Sequence, residues 1–439
     1  MRKLIVILIG GLTLVVACTF DALEFTIDRE LEQLIGDRSK YILPRSNELD
    51  KIPQSISNPL TEEKVELGKF LFFETAFGVE PSQHSHLHAF SCGTCHVPAA
   101  GFRPGTFQGV ADGGYGFGKK GERRIKYPTY TDDEVDAQGN RPLSVLNVAF
   151  VNVSMWNGSF GSDAENEGTE DMWGVLDPAT ELNNLRIGTF EQQNIDGLEV
   201  HRINYSKHLV EQFGYKEMFD AAFPDVPEEE RYSRLTASFA LSAYIRALTT
   251  TEAPFQKWLR GNENAMSEQQ KKGALLFFGK LGCVDCHNQP NLGSNTFHAL
   301  GVKDLWERGA LKTSVNDLRT LGRGGFTGRE EDMFKFRAPQ LYNLADSGPY
   351  FHGSSKETLE EVIDYFNNGV AENDRVPEEQ LSYYLRPLGM TNQEKEDLLA
   401  FIRDGLRDPN LQRFVPNELR SGLCFPNNDP LSRDDMGCN

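Results

Sequence analysis

The sequence predicts a mainly α-helical chain of two similar domains with extensive loops, and three observations carry that prediction. A helical pattern running into Cys-x-x-Cys-His occurs twice, strand periodicity is weak throughout, and the intervening stretches are rich in glycine and polar residues. With 439 residues, 39% of them hydrophobic, the chain has the length and the apolar material for more than one core.

In chain order, Arg2 and Lys3 precede an apolar run over residues 4–16 that is too short to span a membrane. The run ends in Val15-Val16-Ala17-Cys18, which resembles the lipobox cleaved by the lipoprotein signal peptidase. Residues 1–18 are therefore expected to be a lipoprotein signal peptide with Cys18 as the lipidated N-terminus; the plainer alternative is an ordinary signal peptide with a chance cysteine. Either way the chain is expected to be exported into the cell envelope, facing the periplasm; with the lipobox reading its membrane contact is only through a lipid anchor at Cys18.

Residues 19–60 read as an N-terminal extension and 61–252 as the first domain. Thr61-Glu62-Glu63 is a helix start, Glu66-Leu67-Gly68-Lys69-Phe70-Leu71-Phe72-Phe73 continues it, and an insert over 75–90 leads to Cys92-Gly93-Thr94-Cys95-His96. A glycine-rich stretch (109–121), a polar loop (127–141) and a long polar region (157–204) follow. Helical periodicity returns over 209–222 and 234–248. The second domain, 266–407, repeats the plan: Ser267-Glu268-Gln269-Gln270 starts a helix, Lys272-Gly273-Ala274-Leu275-Leu276-Phe277-Phe278 continues it to Cys283-Val284-Asp285-Cys286-His287, and a helix over 392–406 closes it. The tail, 408–439, is rich in Pro, Asn and Asp and reads as poorly packed.

Cys-x-x-Cys-His has a mechanical meaning: two thiols add across haem vinyl groups as thioethers, and the adjacent histidine reaches the iron. Cys92, Cys95 and His96, and likewise Cys283, Cys286 and His287, are thus the expected attachment residues and proximal ligands of two covalently bound haem c groups. Each would sit in a cytochrome c-like domain. Of seven cysteines, one belongs to the signal and four to these motifs, leaving Cys424 and Cys438 to pair as a disulfide, permitted in an oxidising compartment, or to stay free. The net charge of −19 argues against nucleic acid and fits either solubility or docking of a basic redox partner. His84, His86 and His88 alternate; on an extended segment they would share one face and could bind copper or zinc, whereas in a solvated loop they would not.

The order of motifs resembles the bacterial dihaem cytochrome c peroxidase and MauG superfamily. The resemblance lies in the first helix, both haem motifs, Ser144-Val145-Leu146-Asn147, Met155-Trp156-Asn157-Gly158, Phe336-Arg337-Ala338-Pro339-Gln340-Leu341, Pro349-Tyr350-Phe351-His352-Gly353 and Thr358-Leu359-Glu360-Glu361-Val362-Ile363. It implies that the N-terminal haem is the peroxide site and that the C-terminal haem receives electrons from outside. True peroxidases carry a displaceable histidine soon after the first motif; the matching stretch from Gln108 to Gly114 has none, which implies an open first haem. The resemblance further implies a relay tryptophan at Trp156 and a distal Gln near Gln193. His201 and Arg202 are suited to act as base and charge stabiliser, with Glu199 or Glu181 as substitutes. The second haem's outer ligand, Met or Tyr in the family, falls on Phe366. Tyr365 is the neighbour that could reach the iron, Met390 and Met333 are weaker candidates, and His298 and His352 are expected at the haem's edge. Family members often hold calcium between domains, for which Asn140 or Asn147 would serve.

The function so implied is reduction of hydrogen peroxide to water, with a small cytochrome c or a cupredoxin as donor. One alternative is MauG-like oxidation of Tyr or Trp side chains of a partner protein, supported by the absent histidine and weakened by Phe366. Another, from a different class, is a non-catalytic dihaem electron-transfer lipoprotein.

Overall fold

A computed structural model describes residues 27–438; the expected signal peptide and Cys18 lie outside the described residues. The cores are built by α1 (Glu62–Phe73), α2 (Thr189–Val200), α3 (Arg234–Arg246), α4 (Pro254–Leu259), α5 (Glu268–Phe278), α6 (Leu359–Asn368) and α7 (Asn392–Ala400), separated by long loops and short 3-10 turns. Among the described residues, sheet is confined to two antiparallel pairs, β1 (Gly114–Tyr115) with β2 (Ile125–Lys126) and β3 (Phe297–His298) with β4 (Phe336–Arg337). No helix among them is long and apolar enough to cross a membrane.

The two repeats use one packing device. Helix α1 starts where the Thr61 side chain accepts from the Lys64 amide, and α5 starts with a reciprocal Ser267–Gln270 capping box. A methyl group on Gly68 of α1 would lie 1.9 Å from the Ala240 carbonyl oxygen of α3, and one on Gly273 of α5 would lie 2.0 Å from the Asp397 carbonyl oxygen of α7. Each glycine therefore lets the closing helix of its own repeat pass at backbone contact. Tyr244 and Phe401 stand at matching places, where their Cβ atoms would be 2.8 and 2.7 Å from those same methyl groups.

Two apolar cores result. The first gathers Leu67, Leu71, Phe72, Phe73, Leu241 and Tyr244, and the second Phe255, Trp258, Phe277, Ile363, Leu398 and Phe401. The chain ends cross over between them. Leu31, Tyr41 and Leu43 of the N-terminal extension join the second core, where Asp28 accepts from Trp258 Nε1 at 2.7 Å and pairs with Lys271 at 2.8 Å. Leu411, Phe414 and Leu419 of the tail join the first.

Some expectations need correction. The tail is well packed, with Asn427, Asp429 and Ser432 buried, while the expected Cys424–Cys438 disulfide is present. The helical stretch at 209–222 is split into Lys207–Gln212 and Lys216–Ala222, with Gly214 at φ +77° between them, a left-handed conformation that glycine adopts without strain. The polar region at 157–204 contains helix α2, hidden from apolar periodicity because its buried face includes Glu191 and Gln192. The closing helix is α-helical only to Ala400 and then widens into a π turn, Phe401–Gly405.

Candidate functional site

Both Cys-x-x-Cys-His segments form 3-10 turns, Cys92–Thr94 and Cys283–Asp285, beyond the ends of α1 and α5. In the first, Ser91 Oγ and Thr94 Oγ1 donate to the Pro426 carbonyl at 2.9 and 3.2 Å, so the disulfide-closed tail clamps the loop. His96 Nδ1 lies 3.1 Å from the Phe102 carbonyl oxygen and His287 Nδ1 lies 2.8 Å from that of Leu292. A carbonyl only accepts, so each Nδ1 holds the proton and each Nε2 keeps a free lone pair, the state an iron ligand needs. Burial pushes both imidazoles down to about 4, which keeps them neutral.

The second motif opens on a cavity of about 310 Å³. Cys283, Cys286 and His287 line it, together with Leu359, Val362, Ile363 and Phe366 of α6. Met390 is also in the lining; Met333 is not, its sulfur lying against Gly324. Tyr365 is not part of this lining: its hydroxyl donates to the carbonyl of Leu300, a lining residue, and Lys356 stands over its ring. His298 and His352 line the cavity. His352 is fixed by Asp304 at 3.0 Å and stacks on Phe336 at 3.6 Å between centroids. Trp156 borders the same space, 6.2 Å from the His352 ring, and its Nε1 donates to the Arg141 carbonyl at 2.7 Å.

The first motif has charged surroundings. His201, just past α2, lies 2.6 Å from Asp136. Burial opposes its protonation, but the Asp136 carboxylate prevails and raises its pKa above the ordinary value. The charges of this pair reach the motif: His201 acts on His96 and Asp136 on Cys95. Arg202 pairs at 2.8 Å with Asp112, which is fully buried and also accepts from Tyr130 Oη at 2.7 Å and the Ser82 amide at 2.8 Å. Arg202 thus braces the loop after the first motif. Gln193 is half-buried and donates to Met155 Sδ at 3.4 Å.

Sequence reasoning missed Asp196. It shares the face of α2 that carries Gln193 and Gly197, and burial, then Asp177, push its pKa up to about 6 against the pull of His201. The available signal was its three-residue step from Gln193. The opposite face is structural: Glu191 takes Arg246 in a two-point ion pair at 2.5 and 2.8 Å and also accepts from Asn58 at 2.8 Å. Glu199 pairs with Arg234 at 2.9 Å on the surface, and Glu181 is exposed. The open stretch starting at Gln108 is pinned by that side chain, which donates to the Gln138 and Leu311 carbonyls at 2.6 and 2.8 Å.

The three alternating histidines do not share a face. His84–His86 is a 3-10 turn, His86 is buried against Tyr127 and Tyr130, and His88 bonds the Ala76 carbonyl at 2.6 Å. No group of three or more His, Cys, Asp or Glu side chains suited to a metal ion occurs among the described residues. The Asn147 side chain is used by Thr250 at 2.8 and 2.9 Å, and Asn140 donates to the Arg319 carbonyl at 3.4 Å.

Buried guanidinium groups test whether this frame fits haem. Arg103 Nε, and Arg141 Nε and Nη1, are buried with no hydrogen-bond partner among the described residues. Arg103, on the loop that holds His96, enters the lining of the second cavity beside Arg337. Burial lowers Arg103 and Arg337 to about 10, so each calls for a buried anion. Haem propionates are such anions. Together with the free Nε2 atoms and the cysteine pairs, the donor set fits two covalently bound haems.

Residues 62–264 match the family model of the di-haem cytochrome c peroxidases. Methylamine utilization protein MauG of Methylorubrum extorquens is 29% identical over 403 residues, 91% of this chain and 92% of that protein. Cytochrome c551 peroxidase of Pseudomonas aeruginosa is 26% identical over 337 residues, 75% of this chain and 80% of its own. Among solved structures, a MauG-like protein associated with microbial copper homeostasis superposes with a TM-score of 0.59 at 25% identity, covering 89% of this chain and 97% of that one. The diheme peroxidase BthA of Burkholderia thailandensis shares the fold, with a TM-score of 0.51 at 17% identity over 82% of this chain and 89% of its own.

Proposed function

Because the chain belongs to the dihaem cytochrome c peroxidase and MauG superfamily, we propose that it is an exported peroxidase, anchored through Cys18, that reduces hydrogen peroxide to water at the first motif. Electrons enter through the second motif from a small cytochrome c or a cupredoxin. The family's two c-type haems, held here by Cys92, Cys95 and His96 and by Cys283, Cys286 and His287, supply redox-active iron when bound.

The rest falls to the chain. The His201–Asp136 pair and Asp196 hold protons beside the first motif, where cleaving an O–O bond needs one proton moved and another delivered. Gln193 offers an amide donor on the same face of α2. Trp156, tied to the Arg141 carbonyl, is an oxidisable ring at the second cavity and the relay in this reading. Two electrons and two protons per peroxide give two waters.

The observation that carries this reading is the lining of the second cavity. Phe366 contributes no ligand atom to it, and the Tyr365 hydroxyl is committed to Leu300, which suits an electron port better than a store of oxidising power. Similarity to MauG over nine-tenths of the chain favours the second reading, oxidation of a partner protein's Tyr or Trp side chains. The haem-loaded protein should oxidise a reduced small cytochrome c only when peroxide is added, and Trp156→Phe should slow this at least about tenfold, about 1.4 kcal/mol in barrier. A native protein that reacts with peroxide but oxidises no reduced donor, while a partner's side chains become modified, would establish the second reading instead.

A further inference from the structure

Four aromatic side chains run in contact from the first motif towards the surface. Ring centroids of Tyr130 and His86 are 4.6 Å apart, those of His86 and Tyr127 4.8 Å, and those of Tyr127 and Tyr115 5.0 Å. At the inner end, the Val110 amide faces the Cys95 sulfur, and Val110 packs on Tyr130. One residue therefore separates Tyr130 from the atom through which the first haem would be attached. At the outer end Tyr115 and Tyr127 are half-buried, beside the short β1–β2 pair.

Two details exceed what stacking alone requires. Tyr130 donates its phenolic hydrogen at 2.7 Å to Asp112, a buried carboxylate held by Arg202, which is a proton acceptor in place for an oxidised phenol. His86, in the middle, is 2% exposed, its Nδ1 lies 3.2 Å from Ser85 Oγ and the Gly114 backbone acts on the ring, while burial keeps the imidazole neutral between the two tyrosines.

We propose that this ladder carries oxidising equivalents from the first motif to the surface, where Tyr115 and Tyr127 oxidise phenolic one-electron donors. The inference rests on the peroxidase reading, since hydrogen peroxide is the oxidant. Tyr130 gives one electron to the peroxide-oxidised centre and passes its proton to Asp112. Electron transfer from Tyr127, bridged by the His86 ring and with the Tyr127 proton released to solvent, then restores Tyr130, and the Tyr130 proton returns from Asp112. A phenol at the surface restores the outer tyrosines, losing one electron and one proton. One hydrogen peroxide and two phenols give two waters and two phenoxyl radicals.

The test is freeze-quench EPR of the haem-loaded protein after one equivalent of peroxide, beside turnover of a methoxyphenol and of a reduced small cytochrome c. The native protein is expected to show a tyrosyl radical. Tyr130→Phe should abolish it, and Tyr127→Phe, which keeps the ring stack, should confine it to Tyr130. Both variants should lose at least about tenfold in methoxyphenol oxidation and keep native oxidation of the cytochrome. A radical of native yield and line shape in both variants, or unchanged methoxyphenol turnover, overturns the ladder while leaving the peroxidase reading intact. No spectral response of the native protein to peroxide overturns both.

Discussion

The two haem-motif regions share a frame and differ in everything placed around it. In both, a capped helix with a contact glycine runs to a Cys-x-x-Cys-His turn whose histidine gives its Nδ1 proton to a carbonyl a few residues on. Around the first stand His201, Asp136, Asp196, Arg202 and Asp112, with a disulfide-closed tail across the loop. Around the second lies a cavity that sets Leu359, Val362, Ile363 and Phe366 beside His298, Arg103, Arg337 and the His352–Asp304 pair. Attachment chemistry is thus duplicated while the surroundings are not. His201 and Asp196, both with pKa raised above the ordinary value, stand by the first motif and a cavity with an apolar wall lies against the second, which suits one centre to bond cleavage and the other to conduction.

The shared frame can be broken most severely. Gly68→Ala and Gly273→Ala each drive a methyl group into a facing carbonyl, and each should cost about 3 kcal/mol in chemical denaturation. A large loss in only one variant would mean that the repeats do not pack alike. Next, replacing Cys424 and Cys438 by serine opens a loop spanning 14 residues and should cost about 2–3 kcal/mol. Because the tail holds Ser91 and Thr94, the absorption of the first haem should change and that of the second should not.

Smaller effects sharpen the contrast. Tyr365→Phe removes the bond to Leu300 and should cost about 1 kcal/mol. The spectrum of the second haem should be unchanged; a shift would place Tyr365 on the iron. At the first motif, Asp196 is raised from 3.8 to about 6, so the folded state resists its ionisation. Stability from this group is full below the unfolded value and falls as pH rises from about 4 through 6. Asp196→Asn should remove that fall, making the variant the more stable at pH 7 in thermal melts, and should abolish the inflection near pH 6 in its peroxide reaction.

Local features of this plan were readable in the sequence. Thr61 and the Ser267–Gln270 box begin their helices where hydroxyl-then-acid or amide spacing places them, and both motifs and the Cys424–Cys438 pair follow from residue type. What escaped depends on partners far along the chain. Nothing in the polar region at 157–204 marked Glu191 as buried, because its partner, Arg246, lies 55 positions away. Helix α2 lacked an apolar stripe because that ion pair fills its buried face. Asp28 meets Trp258 and Lys271 across more than 200 residues, and no periodicity marks such a contact. The unpartnered nitrogens of Arg103 and Arg141 are defined only by what three-dimensional packing leaves unpaired.

The division of labour between the motifs is tested most directly by removing one attachment at a time. In haem-loaded protein carrying Cys283→Ser and Cys286→Ser, stopped-flow absorption should show peroxide reacting at the native rate while oxidation of reduced cytochrome c falls by about a hundredfold or more, about 2.7 kcal/mol or above. Cys92→Ser with Cys95→Ser should lose the peroxide reaction itself. Peroxide reactivity that vanishes with the second motif and survives loss of the first would contradict the assignment of chemistry to His96 and conduction to His287.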